Sequence, residues 1–133
     1  MSMRLDIHPR ADLLEVGATG EFSLEEAQRT FLEMMEAVAL YKTSRVLFDG
    51  RSITGNPNTI ERFYFAAFAA ATAQQYKVQG RCGVTRFSYV LKEPVLDPEK
   101  FGETVAVNRG MSVKAFDNPE DALAWLENSG DEK

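Results

Sequence analysis

The chain has 133 residues, 44% hydrophobic and 26% charged, a balance that fits one globular domain able to bury a core without staples. Its formal net charge of −5 repels phosphates and anionic headgroups, which argues against nucleic acid as a partner and against stable membrane insertion. One cysteine, Cys82, and one histidine, His8, allow neither an intramolecular disulfide nor a metal cluster built on these side chains, so no metal and no cofactor is expected.

Residues 1–6 carry no apolar signal core, and no apolar run is long enough for a bilayer, so a cytoplasmic protein is expected. Residues 4–7 alternate polar and apolar, as a half-buried strand does. Residues 9–12 read as a turn and residues 13–18 as a second strand, together an antiparallel hairpin at a sheet edge. Ser23-Leu24-Glu25-Glu26 is a capping box that predicts a helix ending near Tyr41, with Ala27, Phe31, Met34, Met35 and Val38 on its core stripe. Arg45-Val46-Leu47-Phe48-Asp49 reads as a central strand, and residues 50–58 as a polar Gly/Asn loop.

Asn58-Thr59-Ile60-Glu61 again caps a helix, predicted to reach about Tyr76 with Gly80 as its stop. That helix has almost no polar face: Tyr64, Phe65, Phe68 and Tyr76 gather on one side, Ile60, Phe63 and Ala67 on another. It demands a cover, whether a neighbouring helix, a second subunit or an apolar ligand. Residues 82–87 are the next predicted strand, with Cys82 as a small buried hydrophobe. Residues 88–98 follow as an unusually apolar loop that reads as a lid or interface arm. Pro98 suits the first turn of a helix that Gly110 stops. Residues 113–116 are the last strand. Asn118-Pro119-Glu120-Asp121 opens the last helix, and residues 129–133 are a polar tail.

The predicted order is β-β-α-β-α-β-α-β-α, an α/β fold with a mostly parallel central sheet and an edge hairpin, in one domain over residues 1–128. With Val46-Leu47-Phe48-Asp49, with residues 101–110, and with Val113-Lys114-Ala115-Phe116 followed by residues 120–126, the chain resembles the STAS-like fold of bacterial anti-sigma-factor antagonists. It is most similar to the SpoIIAA-like branch, described as STAS/SEC14-like. In those antagonists a serine at the start of the helix after the central strand is phosphorylated by a partner kinase. The resemblance places that position at residues 57–59. The usual Asp-Ser-Ser-Gly is absent there, and Thr59 is the nearest hydroxyl, with Ser52 and Thr54 earlier in the loop.

Two sets of candidate residues follow. Asp49, Ser52, Thr54, Asn58 and Thr59 form a phospho-switch or partner-binding loop, where a helix N-terminus favours added phosphate. The bland alternatives are an Asp that satisfies loop N–H groups and a Thr that follows an Asn cap. Tyr64, Phe65, Phe68, Tyr89 and Leu91 form an interface or an apolar ligand site. With no paired carboxylates in a recognisable motif, no catalytic residue is assigned. The expected function is a non-enzymatic regulatory module with a protein partner, a homodimeric state, or both. The alternative is a carrier or sensor of a small apolar, lipid-like ligand held between the Phe63 helix and residues 88–98.

Overall fold

The structure, a computed structural model, describes residues 3–84 and 86–127; the tail predicted at 129–133 lies outside the described residues. β1 (Arg4–Arg10) and β2 (Leu13–Glu21) pair antiparallel, from Arg4 opposite Thr19 to Arg10 opposite Leu13. The turn is shorter than the sequence suggests. Pro9 stays in β1, which as an edge strand tolerates a missing N–H. Only Ala11 and Asp12 turn the chain, Ala11 with φ 47°. The Asp12 carboxylate accepts the backbone N–H and the hydroxyl of Ser44, which ties the turn to the start of β3.

β2, β3 (Arg45–Thr54), β4 (Arg86–Val90) and β5 (Val113–Phe116) are mutually parallel, and the sheet order is β1-β2-β3-β4-β5. Each crossover steps to the next strand in one direction. Right-handed crossovers then place their helices on one face of the sheet. These helices are α1 (Leu24–Tyr41), α2 (Thr59–Val78) and α3 (Phe101–Asn108). α4 (Pro119–Glu127) follows the last strand, returns to nothing, and covers the other face.

The sheet therefore divides two cores. On the three-helix side Leu14, Val16, Val46, Phe48 and Phe87 meet Phe31, Met34, Met35 and Val38 of α1. On the other side Leu47 and Val90 meet Ala122 and Leu126 of α4, with Trp125 beside Phe116. Period-2 alternation in β3 sends Val46 and Phe48 one way and Leu47 the other.

Several predicted boundaries move. β3 does not end at Asp49. Gly50–Thr54, read from sequence as loop, continues the strand, with Ser52, Ile53 and Thr54 opposite Thr19, Gly20 and Glu21. β4 lies four residues further on than predicted, at Arg86–Val90 rather than 82–87. Its register against β3, Arg45 opposite Arg86 through Asp49 opposite Val90, selects the frame that buries residues on both faces. Cys82 sits instead in the irregular approach to the strand, half-buried against the main core. α3 begins at Phe101, so Pro98 lies in the turn before it rather than in its first turn. The Ser23 cap makes half of its box: Ser23 accepts from Glu26 N–H, while the Glu26 carboxylate takes the Met3 N–H and the Arg29 guanidinium.

Candidate functional site

Between Gly17 opposite Asp49 and Thr19 opposite Ser52, β3 gains one residue on β2, a β-bulge at Gly50 and Arg51. The bulge resets the alternation, so Ile53 faces the same side of the sheet as Phe48. Gly50 is closely packed there. A Cβ on it would stand 2.8 Å from Leu91 Cδ2 and 2.9 Å from both Ile53 Cδ1 and Phe48 Cε2.

The first set of candidate residues is distributed along this arm. Asp49 precedes the bulge, and its carboxylate accepts from Arg51 Nε at 2.9 Å, Nη2 at 2.8 Å and the backbone N–H at 3.2 Å. Hydrogen bonding from Arg51 holds the Asp49 pKa below the ordinary carboxylate value. Ser52 and Thr54 are strand residues, both exposed, and the Thr54 hydroxyl donates to the Gly20 carbonyl at 3.4 Å. Asn58 and Thr59 come together at the start of α2. Asn58 Oδ1 accepts from Glu61 N–H at 2.8 Å while Glu61 Oε1 accepts from Asn58 N–H at 2.9 Å, a complete capping box. Thr59 is the first residue of the helix and is exposed.

Of the second set, Phe65, Tyr89 and Leu91 line a cavity of about 170 Å³ between the sheet and the three helices, and Tyr64 and Phe68 do not. Its walls are almost entirely apolar: Phe31, Phe48, Phe65, Tyr89, Leu91 and Val95 are among them. α2 packs against α1 and α3 and stands off the strands. The residues it turns inward explain the gap. Ala66 and Ala69 are buried and too short to reach the sheet. α1 and α3 thus supply the cover that the sequence demanded for α2. Phe65 lines the cavity, while Phe68 packs edge-on against Phe31 at 6.3 Å. Tyr64 is turned outward and is 54% exposed.

Tyr89 belongs to β4, not to a loop, so it forms part of the cavity floor rather than a lid. Its ring lies 4.8 Å from that of Phe48, and burial pushes its phenol pKa well above the ordinary value. Leu91, Val95 and Leu96 do come from the connection after β4. That connection is latched to α2 by Arg62, which donates to the carbonyls of Val95 and Pro94. Sequence reasoning missed the floor residues Phe48 and Ile53 and the rim residues Arg62 and Lys100. The available signal was the alanine spacing at 66, 69, 70 and 73, which marks a helix face without bulk.

The structure is similar to an anti-sigma factor antagonist from Mycobacterium paratuberculosis, with TM-score 0.60, 15% identity, and 95% of each chain covered. The chain has a SpoIIAA-like fold. An uncharacterised protein of the DUF3478 family from Shewanella loihica, also with a SpoIIAA-like fold, matches at TM-score 0.53 and 19% identity over 94% of each chain. No family model and no curated protein matches the chain.

Within this fold two carboxylates near the cavity have structural tasks. Hydrogen bonds from the Phe101 and Glu99 N–H groups lower the Asp97 pKa, and Asp97 thereby organises the turn into α3. Glu103 accepts the Ala115 N–H at 2.8 Å. Among the described residues no group of three His, Cys, Asp or Glu is placed to hold a metal, and no helix is long and apolar enough to cross a membrane.

Proposed function

We propose that this SpoIIAA-like domain is a non-enzymatic regulatory module that docks a protein partner on the first turns of α2 and the turn before it. The observation that carries this reading is the exposure of Ile60 and Tyr64, at 65% and 54%. They stand four residues apart on one helix face, directly after the exposed Thr59. Large apolar side chains left in water beside a polar rim mark interaction surfaces. The anti-sigma factor antagonist to which the fold is similar supports a regulatory role of this kind.

Thr59 is the hydroxyl best placed to control such docking. A phosphate on it would meet the positive end of the α2 dipole and stand near the Glu61 carboxylate. The test is capture of the partner from host extract by wild type, Ile60→Asp and Thr59→Glu, each checked for an unchanged melting temperature. Loss of one defined partner in Ile60→Asp supports the reading. Equal capture by all three overturns it. Size and mass of the purified protein tell whether that partner is a second copy.

A second reading is favoured by a different observation. The 170 Å³ apolar cavity suits a small apolar ligand held beneath α2. A cavity of about 150 Å³ lined by aliphatic and aromatic groups stays dry and takes a benzene-sized guest. Methyl-resolved NMR titration with 1-octanol tests this, since saturable shifts of the Ala66 and Ala69 methyls are required.

A further inference from the structure

The chemistry of the cavity lining narrows the ligand class, resting on the reading that the cavity is a ligand site. Apolar walls fix the body of the ligand. The polar groups that reach the cavity fix its head, and most of them are already occupied. Arg62 gives two of its five N–H donors to the carbonyls of Pro94 and Val95. Asp97 accepts from the N–H groups of Glu99 and Phe101, Glu103 from that of Ala115, and Thr30 donates to the Ala27 carbonyl.

Two other donors reach the cavity. The Tyr89 side chain has a ring contact with Phe48, and its hydroxyl has no hydrogen-bond partner among the described residues. Tyr89 is half-buried, and its side chain lines the cavity. The second donor is Lys100. Its ammonium donates to the Ala115 carbonyl at 3.2 Å and has no carboxylate partner among the described residues. Lys100 is half-buried on the cavity wall, where screening by water is weaker than at the surface. Its backbone is held in the left-handed region at φ 54°, directly before α3, so the side chain leaves the chain at a set angle.

We propose that the cavity binds a small carboxylic acid with an apolar body of about eight carbons, its carboxylate on Lys100 and its body against Phe48, Phe65 and Tyr89, with the Tyr89 hydroxyl as a second donor. The volume fits a medium-chain or single-ring acid. The rim carries the Lys100 ammonium and the Arg62 guanidinium, both with N–H donors to spare, beside the Asp97 and Glu103 carboxylates that backbone N–H groups hold in place.

The test compares octanoate, 1-octanol and octylammonium as probes on the 13C-methyl-labelled full chain. Octanoate is expected to shift the Ala66, Ala69 and Ala106 methyls saturably and to bind about tenfold more tightly than 1-octanol. Lys100→Gln is expected to erase that tenfold preference while leaving 1-octanol binding unchanged, and Tyr89→Phe to weaken octanoate by a smaller factor. Ala69→Leu, which fills the cavity, is expected to abolish binding of both probes with an unchanged or raised melting temperature. If octanoate binds no better than 1-octanol, or if Lys100→Gln leaves its affinity unchanged, the carboxylate assignment is overturned while the apolar-ligand reading stands. If none of the three probes moves the methyls, both are overturned.

Discussion

The guanidinium of Arg62, on the second turn of α2, donates to the carbonyl of Val95 at 2.8 Å and so joins the helix that roofs the cavity to the connection that closes it. A second donation reaches the Pro94 carbonyl at 2.7 Å. Val95 is buried on the cavity side, although it lies in a segment without regular structure. Arg62→Met keeps most of the stem and removes both bonds. Charged hydrogen bonds of this kind contribute roughly 1.5–3 kcal/mol when buried, and partial exposure lowers the expectation to about 1–2 kcal/mol. Hydrogen exchange at residues 94–100 should rise well above that of β4. Unchanged exchange there would mean that packing of Val95 alone holds the connection.

Gly50 is expected to resist substitution. Its Cβ position is hemmed in by Leu91, Ile53 and Phe48. Gly50→Ala forces these side chains apart and should cost about 1–3 kcal/mol, with Gly50→Val costing more. Urea denaturation measures the loss. If both variants are neutral, the neighbouring cavity has absorbed the displaced side chains.

The cap and the candidate switch separate cleanly at the start of α2. Asn58→Ala breaks the capping box and should cost about 1 kcal/mol. Thr59→Ala removes an exposed hydroxyl and should change stability by less than about 0.5 kcal/mol. A partner-binding defect in Thr59→Ala would therefore be a surface effect. A comparable loss of stability in Thr59→Ala would instead make that hydroxyl part of the cap.

Stability should fall at both ends of the pH range, for different groups. Asp12, Glu36, Asp49 and Asp97 all have pKa values below the ordinary carboxylate range, each led by a hydrogen bond: Ser44 on Asp12, Tyr76 on Glu36, Arg51 on Asp49 and the Phe101 N–H on Asp97. A depressed folded-state pKa contributes stability above the unfolded value and loses it as pH falls through the folded value. The urea midpoint should therefore drop below about pH 4. Tyr89 has the opposite sign. Burial raises its pKa, so the stability associated with the neutral phenol is present below the unfolded value near 10 and is lost as pH rises beyond it. Tyr89→Phe should flatten the alkaline limb and leave the acid limb in place. An alkaline limb unaltered by Tyr89→Phe would assign that loss to other groups.

Much of this fold is legible from local pattern. The Ser23 and Asn58 caps, the Gly80 and Gly110 stops and the Asn118-Pro119 start bound their helices within a few residues of where they lie, because each acts through bonds made inside one helical turn. The strands were less legible. Residues 82–90 are apolar enough to be cut into a strand at several frames, and only pairing with β3 selects Arg86–Val90. The candidate site was legible in part. Phe65 and Leu91 line the cavity and Tyr89 lines it from a strand, while Phe48, Ile53 and Lys100 have no local mark that sets them apart.

The sequence by itself determined the order of elements, the single edge hairpin and the parallel sheet, since alternation, helical periodicity and caps are properties of neighbours along the chain. The tertiary structure decided where β3 bulges, which frame β4 takes and whether α2 touches the sheet. These depend on register and on the space between layers, which arise only when distant segments meet. The cavity is the clearest case. Ala66 and Ala69 read in the sequence as good helix formers, and only their placement across the cavity from Phe48 and Tyr89 makes them part of the roof of an empty space.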